Sequence, residues 1–120
     1  MLGGFGIVNT ADIRGNTRTT TGTLITIPQG KFFTGNVLLS AQLTAAGTSQ
    51  PRVSVGGTTS VPATGSVLAQ INVGGLLAVA VSDSAETEVL VYAGSSDVTL
   101  EFTAGASGTS SASVNGFIFG

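Results

Sequence analysis

From residue 21 onward, apolar and polar residues alternate with a period of two through most of the chain, the pattern of strands with one face in a core. Between Val37 and Thr44, Val37, Leu39, Ala41 and Leu43 fall on one face, with Ser40, Gln42 and Thr44 on the other. The pattern returns at Val67, Ala69, Ile71 and Val73, then at Leu77, Val79 and Val81, and again at Thr87, Val89 and Val91. Val98, Leu100 and Phe102 oppose Asp97, Thr99, Glu101 and Thr103. With Thr23–Ile27, Arg52–Val55 and Ser113–Phe119, these make about eight strands of ordinary length.

The punctuation agrees. Ile27-Pro28-Gln29-Gly30 suits a type I turn, with proline second and glycine fourth. Gly56-Gly57 and Gly74-Gly75 sit between apolar runs and read as two-residue hairpin loops. Residues 104–111 read as a soft loop. Asn115-Gly116 lies too near the last strand's end for a hairpin and predicts a bulge or a close-packed glycine. β-Branched residues are frequent, glycine is spread throughout, and no capped 3.6-residue stripe occurs, which argues against helices. The expected fold is all-β: an antiparallel β-sandwich or jelly roll over residues 21–120, preceded by an extended N-terminal arm, residues 1–20. The arm is glycine-interrupted and carries Arg14 and Arg18, and either adds an edge strand or reaches a neighbour.

The face opposite the core is unusual. Leu38, Leu68, Leu76, Ala78, Leu90, Tyr92, Phe117 and Phe119 fall where a one-sided sheet places polar residues. A patch of this kind marks a subunit contact. Leu38, Leu68, Leu90, Tyr92, Phe117 and Phe119 are therefore the candidate oligomer interface, and Phe5, Ile7, Arg14 and Arg18 the candidate partner-binding residues of the arm. A one-residue slip at Gly116 would instead return the phenylalanine pair to the core.

Composition strengthens the association reading. Charged residues are 8% of the 120, against 42% hydrophobic, and so sparse a charge gives little protection against association. All four cations (Arg14, Arg18, Lys31, Arg52) precede residue 61, whereas Asp83, Glu86, Glu88, Asp97 and Glu101 follow it. Such a bipolar chain can dock on its own copy or steer a basic arm to an acidic surface.

With no histidine and no cysteine, nucleophilic triads, thiolate chemistry and common zinc sites have no donors. Gly30-Lys31 lacks the remainder of a phosphate loop. Asp97 and Glu101 share a strand face but stand about 13 Å apart along it, too far for a glycosidase pair. Residues 82–88 read as a polar turn, lacking calcium-loop spacing. Four basic residues with net charge −2 make no phosphate footprint. We expect no enzyme activity, cofactor, metal or nucleic-acid partner. Nor is a membrane partner expected: the run Val73–Val81 is short of the ~20 residues of a spanning helix, and no basic residue precedes the apolar N-terminus, as a secretory signal requires.

Residues 25–37 (ITIPQGKFFTGNV), the Ala/Ser/Thr-rich strand that follows, and the ending Val114-Asn115-Gly116-Phe117-Ile118-Phe119 resemble small jelly-roll decoration (cement) proteins of tailed bacteriophage capsids. The ending is also similar to the last strand of trimeric jelly-roll heads of the C1q/tumour-necrosis-factor group. The resemblance covers most of residues 21–119 and carries over no functional residue. It implies a homo-oligomer, a trimer favoured, on the shell of a major capsid protein. The expectation is thus a virion structural protein of the capsid exterior, synthesised in the host cytoplasm. The alternative is a receptor- or glycan-binding module of a phage fibre or adhesin.

Overall fold

The computed structural model describes residues 9–57, 67–75 and 80–120. Ten strands are present among them: β1 (Asn9–Arg18), β2 (Gly22–Ile27), β3 (Phe32–Leu43), β4 (Gly47–Ser49), β5 (Arg52–Gly57), β6 (Val67–Gln70), β7 (Val73–Gly75), β8 (Val81–Tyr92), β9 (Val98–Thr103) and β10 (Thr109–Phe119). Eight form two four-stranded sheets, ordered β1-β10-β3-β8 and β2-β9-β5-β6, and β4 with β7 makes a short ribbon. All pairings are antiparallel. Among those eight strands the chain changes sheet at every step except β5 to β6. This is the double Greek key of a jelly roll.

The two sheets enclose one core. The first sheet contributes Phe33, Val37, Leu39, Leu43, Val114 and Ile118, and the second Leu24, Ile25, Ile27, Val53, Leu100 and Phe102. Phe33 and Phe102 have no exposed surface, and each such burial stabilises by about 1.5–3 kcal/mol. In β2 the register shifts between Thr23 and Ile25. That bulge turns both Leu24 and Ile25 inward, against strict alternation.

Gly35 and Gly116 pair across β3 and β10. A Cβ on Gly35 would meet the Asn115 carbonyl oxygen, and one on Gly116 the Thr34 carbonyl oxygen. Either would also lie 2.8–2.9 Å from the ring of Phe33. The ring fills the space that side chains at 35 and 116 would take. Gly116 is thus a close-packed glycine, and β10 runs against β3 without a slip. The bulge lies on the neighbouring strand, where Arg14 and Gly15 of β1 oppose Asn115 alone, and the Gly15 amide donates to Asn115 Oδ1 at 2.7 Å.

Several local expectations are corrected. The turn before β3 is Pro28–Lys31, closed by the Lys31 amide on the Pro28 carbonyl at 3.0 Å. Gly30 sits third with φ +79°, a type II shape, because only glycine takes that position without strain. Gly56-Gly57 ends β5, and Gly74-Gly75 belongs to β7 paired with β4, so neither is a hairpin loop. Residues 82–88 are strand: β8 is continuous and pairs with all of β3 from Phe32 to Leu43. Pairing along a long partner outweighs the turn-like composition of Ser82-Asp83-Ser84. The arm, by contrast, follows one of its two expected alternatives: residues 9–18 are an edge strand hydrogen-bonded to β10.

Candidate functional site

The outer face of the first sheet follows from register. Residues opposite one another in antiparallel strands point the same way, so with Val37 and Leu39 inward, the even residues of β3 and β8 and the odd residues of β10 face out. Crossing from β10 to β3 to β8, one row is Phe119-Phe32-Tyr92. The next is Phe117-Thr34-Leu90, reached from Asp12 of β1. Then come Asn115-Asn36-Glu88 and Ser113-Leu38-Glu86. Ser111-Ser40-Ser84 and Thr109-Gln42-Ser82 complete the face.

The face is therefore apolar at one end and hydroxyl-rich at the other. At the apolar end, Phe32 stacks on Tyr92 at 4.5 Å between centroids and on Phe119 at 5.4 Å, with interplanar angles of 30° and 12°. Leu90, Tyr92 and Phe117 are 67, 56 and 49% exposed. The row is held beyond its last pair by the Ala93 amide on the Lys31 carbonyl and the Gly30 amide on the Gly94 carbonyl, both 2.9 Å. Lys31 Nζ donates to the Gly120 carbonyl at 3.0 Å. A shallow hollow of about 430 Å³ lies over Thr34 and Asn36, bordered by Glu88 and Leu90.

At the other end an open groove of about 910 Å³ is lined by Ser40, Gln42, Ser82, Asp83, Thr109 and Ser111, among others. The Ser40 and Ser111 hydroxyls are 2.8 Å apart. Charge sits at the rims: Glu86 and Glu88 on β8, and on β1 Arg14, which meets Asp12 at 3.4 Å. No cation stands against Glu86 or Glu88 among the described residues.

The structure gathers Leu90, Tyr92, Phe117 and Phe119 at one end, and puts Leu38 two rows from Phe117 on the same face. Leu68 does not join them. It lies on β6 of the second sheet, half-buried against the core, because that strand belongs to the opposite layer. Phe5, Ile7, Leu76 and Ala78 lie outside the described residues. Arg18 is turned onto its own loop, with Nε donating to the Thr20 carbonyl at 3.0 Å and Nη2 to Thr20 Oγ1 at 3.2 Å. It shares no site with Arg14. Sequence reasoning missed Phe32, the middle ring of the stack. Its signal was its parity with Leu38, six positions on in the same strand.

Among the described residues, no group of three or more His, Cys, Asp or Glu side chains is placed to hold a metal ion. Of the remaining carboxylates, Glu101 accepts from Thr23 Oγ1 at 2.7 Å and Asp97 from the Gln29 amide at 2.8 Å. Both therefore serve local structure on the second sheet.

No protein-family model matches the chain, and no curated protein does. Among solved structures it is similar to that of infectious bursal disease virus Gx strain (TM-score 0.38, 12% identity), over 94% of this chain and 31% of that one. It is also similar to the CBM36-1 domain of a multidomain xylanase from the hindgut metagenome of Trinervitermes trinervoides (TM-score 0.35, 15% identity, 95% and 94% covered). A third is the infectious bursal disease virus VP2 subviral particle (TM-score 0.32, 13% identity, 94% and 31% covered). The chain thus spans about a third of the viral chains it matches. Likeness at this level bears on neither the activity nor the partners of this protein.

Proposed function

We propose that this jelly roll is a non-enzymatic structural protein of a virion, made in the host cytoplasm, that self-associates and decorates the exterior of an assembled capsid. The aromatic end of the first sheet carries this reading. A stacked row of Phe32, Tyr92 and Phe119, with Leu90 and Phe117 beside it, faces outward on a chain with only 8% charged residues. Exposed rings in contiguous array favour burial against protein. A ligand that binds only the assembled shell stabilises it by mass action.

The test is co-sedimentation of the purified chain with assembled and dissociated shells of the major capsid protein, with a thermal scan of the shells. Binding to assembled shells alone, with a raised dissociation temperature, is the expected result. Equal binding to free subunits, or none, would reject decoration. Truncation should remove residues 1–8 rather than 1–20, because residues 9–18 are a strand of the first sheet.

A glycan-binding module of a fibre or adhesin is the second reading. The near-parallel rings offer a flat stacking surface, and the hydroxyl-lined groove offers hydrogen-bond partners on the same face. Saturable binding on a glycan array, lost in Tyr92→Ala, would select it over decoration.

A further inference from the structure

Resting on the self-association reading, the geometry points to a specific contact: a symmetric dimer in which the outer faces of two first sheets pack together about a two-fold axis parallel to the strands. Such an axis sets the order β1-β10-β3-β8 against β8-β3-β10-β1 and keeps the aromatic ends together. β10 then lies over the partner copy's β3, and β1 over its β8.

Most rows of the face fit themselves, the exception being Asp12, which comes over Leu90 of the second copy. Phe117 comes over Thr34 of the second copy, where the 430 Å³ hollow lies. Leu38 comes over Ser113, so large side chains again meet small ones. Phe119 meets Phe32, extending the stack across the interface, and Asn115 meets Asn36, where side-chain amides can pair. At the same level the rims meet as well. Arg14 stands beside Asn115 on β1, and Glu88 lies in the Asn115 row on β8, so the axis puts Arg14 of each copy against Glu88 of the other. Sheets that pack face to face cross at about 30°, which displaces the rims by a distance within an arginine's reach. A two-fold parallel to the sheet but perpendicular to the strands would set β8 on β8, acidic rim on acidic rim, and aromatic rows on serine rows.

Size agrees. Strands of 10–12 residues at about 3.3 Å per residue and about 4.8 Å apart give a face close to the roughly 800 Å² per partner of a standard interface. The contact is isologous and closes after two copies. The building unit is then a dimer rather than the trimer that resemblance favours.

Sedimentation velocity on the full chain at micromolar concentration tests this, with circular dichroism confirming the fold of each variant. The wild type should sediment as a dimer. Arg14→Glu and Glu88→Arg, both at exposed rim positions, should each weaken the dimer tenfold or more. An equimolar mixture of the two single variants should restore it, because every rim contact in that heterodimer again joins opposite charges. A three-membered ring of these variants would leave one contact mismatched. A trimeric wild type, or a mixture that stays monomeric, would overturn the two-fold. Loss of association in Phe117→Ser with no effect of either charge variant would also overturn it, while sparing the self-association reading. A monomeric wild type would reject both.

Discussion

The two ends of β8 are built differently. From Val89 to Tyr92 the strand is apolar on both sides: Val89 and Val91 are buried in the core while Leu90 and Tyr92 face out beside the ring stack. From Val81 to Thr87 it is backed poorly. Asp83 is exposed at a register position that points inward, Ala85 and Thr87 are only half-buried, and the outer positions are Ser82, Ser84 and Glu86. The same strand, paired throughout to β3, is held by packing at one end and by its ladder of backbone bonds at the other. A region apolar on both sides leaves apolar surface in contact with water. One polar on its outer side is at ease in water.

The largest expected effect comes from under the aromatic end. Phe33→Ala should cost about 3–5 kcal/mol, read by urea unfolding, because nothing at Gly35 or Gly116 can collapse into the space. Leu90→Ala, at a position 67% exposed in the single chain, should cost no more than about 0.5 kcal/mol in the same measurement made at a dilution where the chain is monomeric. If the two costs match, the distinction between inner and outer apolar layers fails. Gly116→Ala comes next, at about 1–3 kcal/mol for forcing a methyl against the Thr34 carbonyl and the Phe33 ring. Tyr92→Ser should remove one stacking partner, worth about 0.5–1.5 kcal/mol, and lower the association measured by light scattering. The smallest free energy is the local opening of β8. Amides of residues 82–87 should exchange faster than those of Val89 and Val91 in hydrogen-exchange mass spectrometry, and equal rates would erase the contrast between the ends.

Much of this was legible in the chain. Alternation located β3, β9 and β10 because each has one face in the core, and period two is then enforced residue by residue. It misread residues 82–88, whose serines and acids look like a turn until β3 supplies a partner of equal length. The double-glycine segments failed for a related reason: glycine marks turns and strand ends alike, and only pairing tells them apart. Of the interface candidates, Leu90, Tyr92, Phe117 and Phe119 come together because parity survives within a continuous strand. Leu68 does not, because parity says nothing about which sheet a strand joins. Phe32 escaped notice beside Phe33, where two adjacent rings hid that one faces each way.

The glycine pair beneath the aromatic end has an evolutionary consequence. One ring covers both glycines, and a Cβ at either would strike the facing strand's carbonyl oxygen whatever stands at 33. A smaller residue at 33 therefore leaves a void that neither glycine can gain bulk to fill. Drift is blocked at all three positions at once. Homologous chains should keep the ring and both glycines together, and that triplet would trace descent through sequences too divergent to align elsewhere.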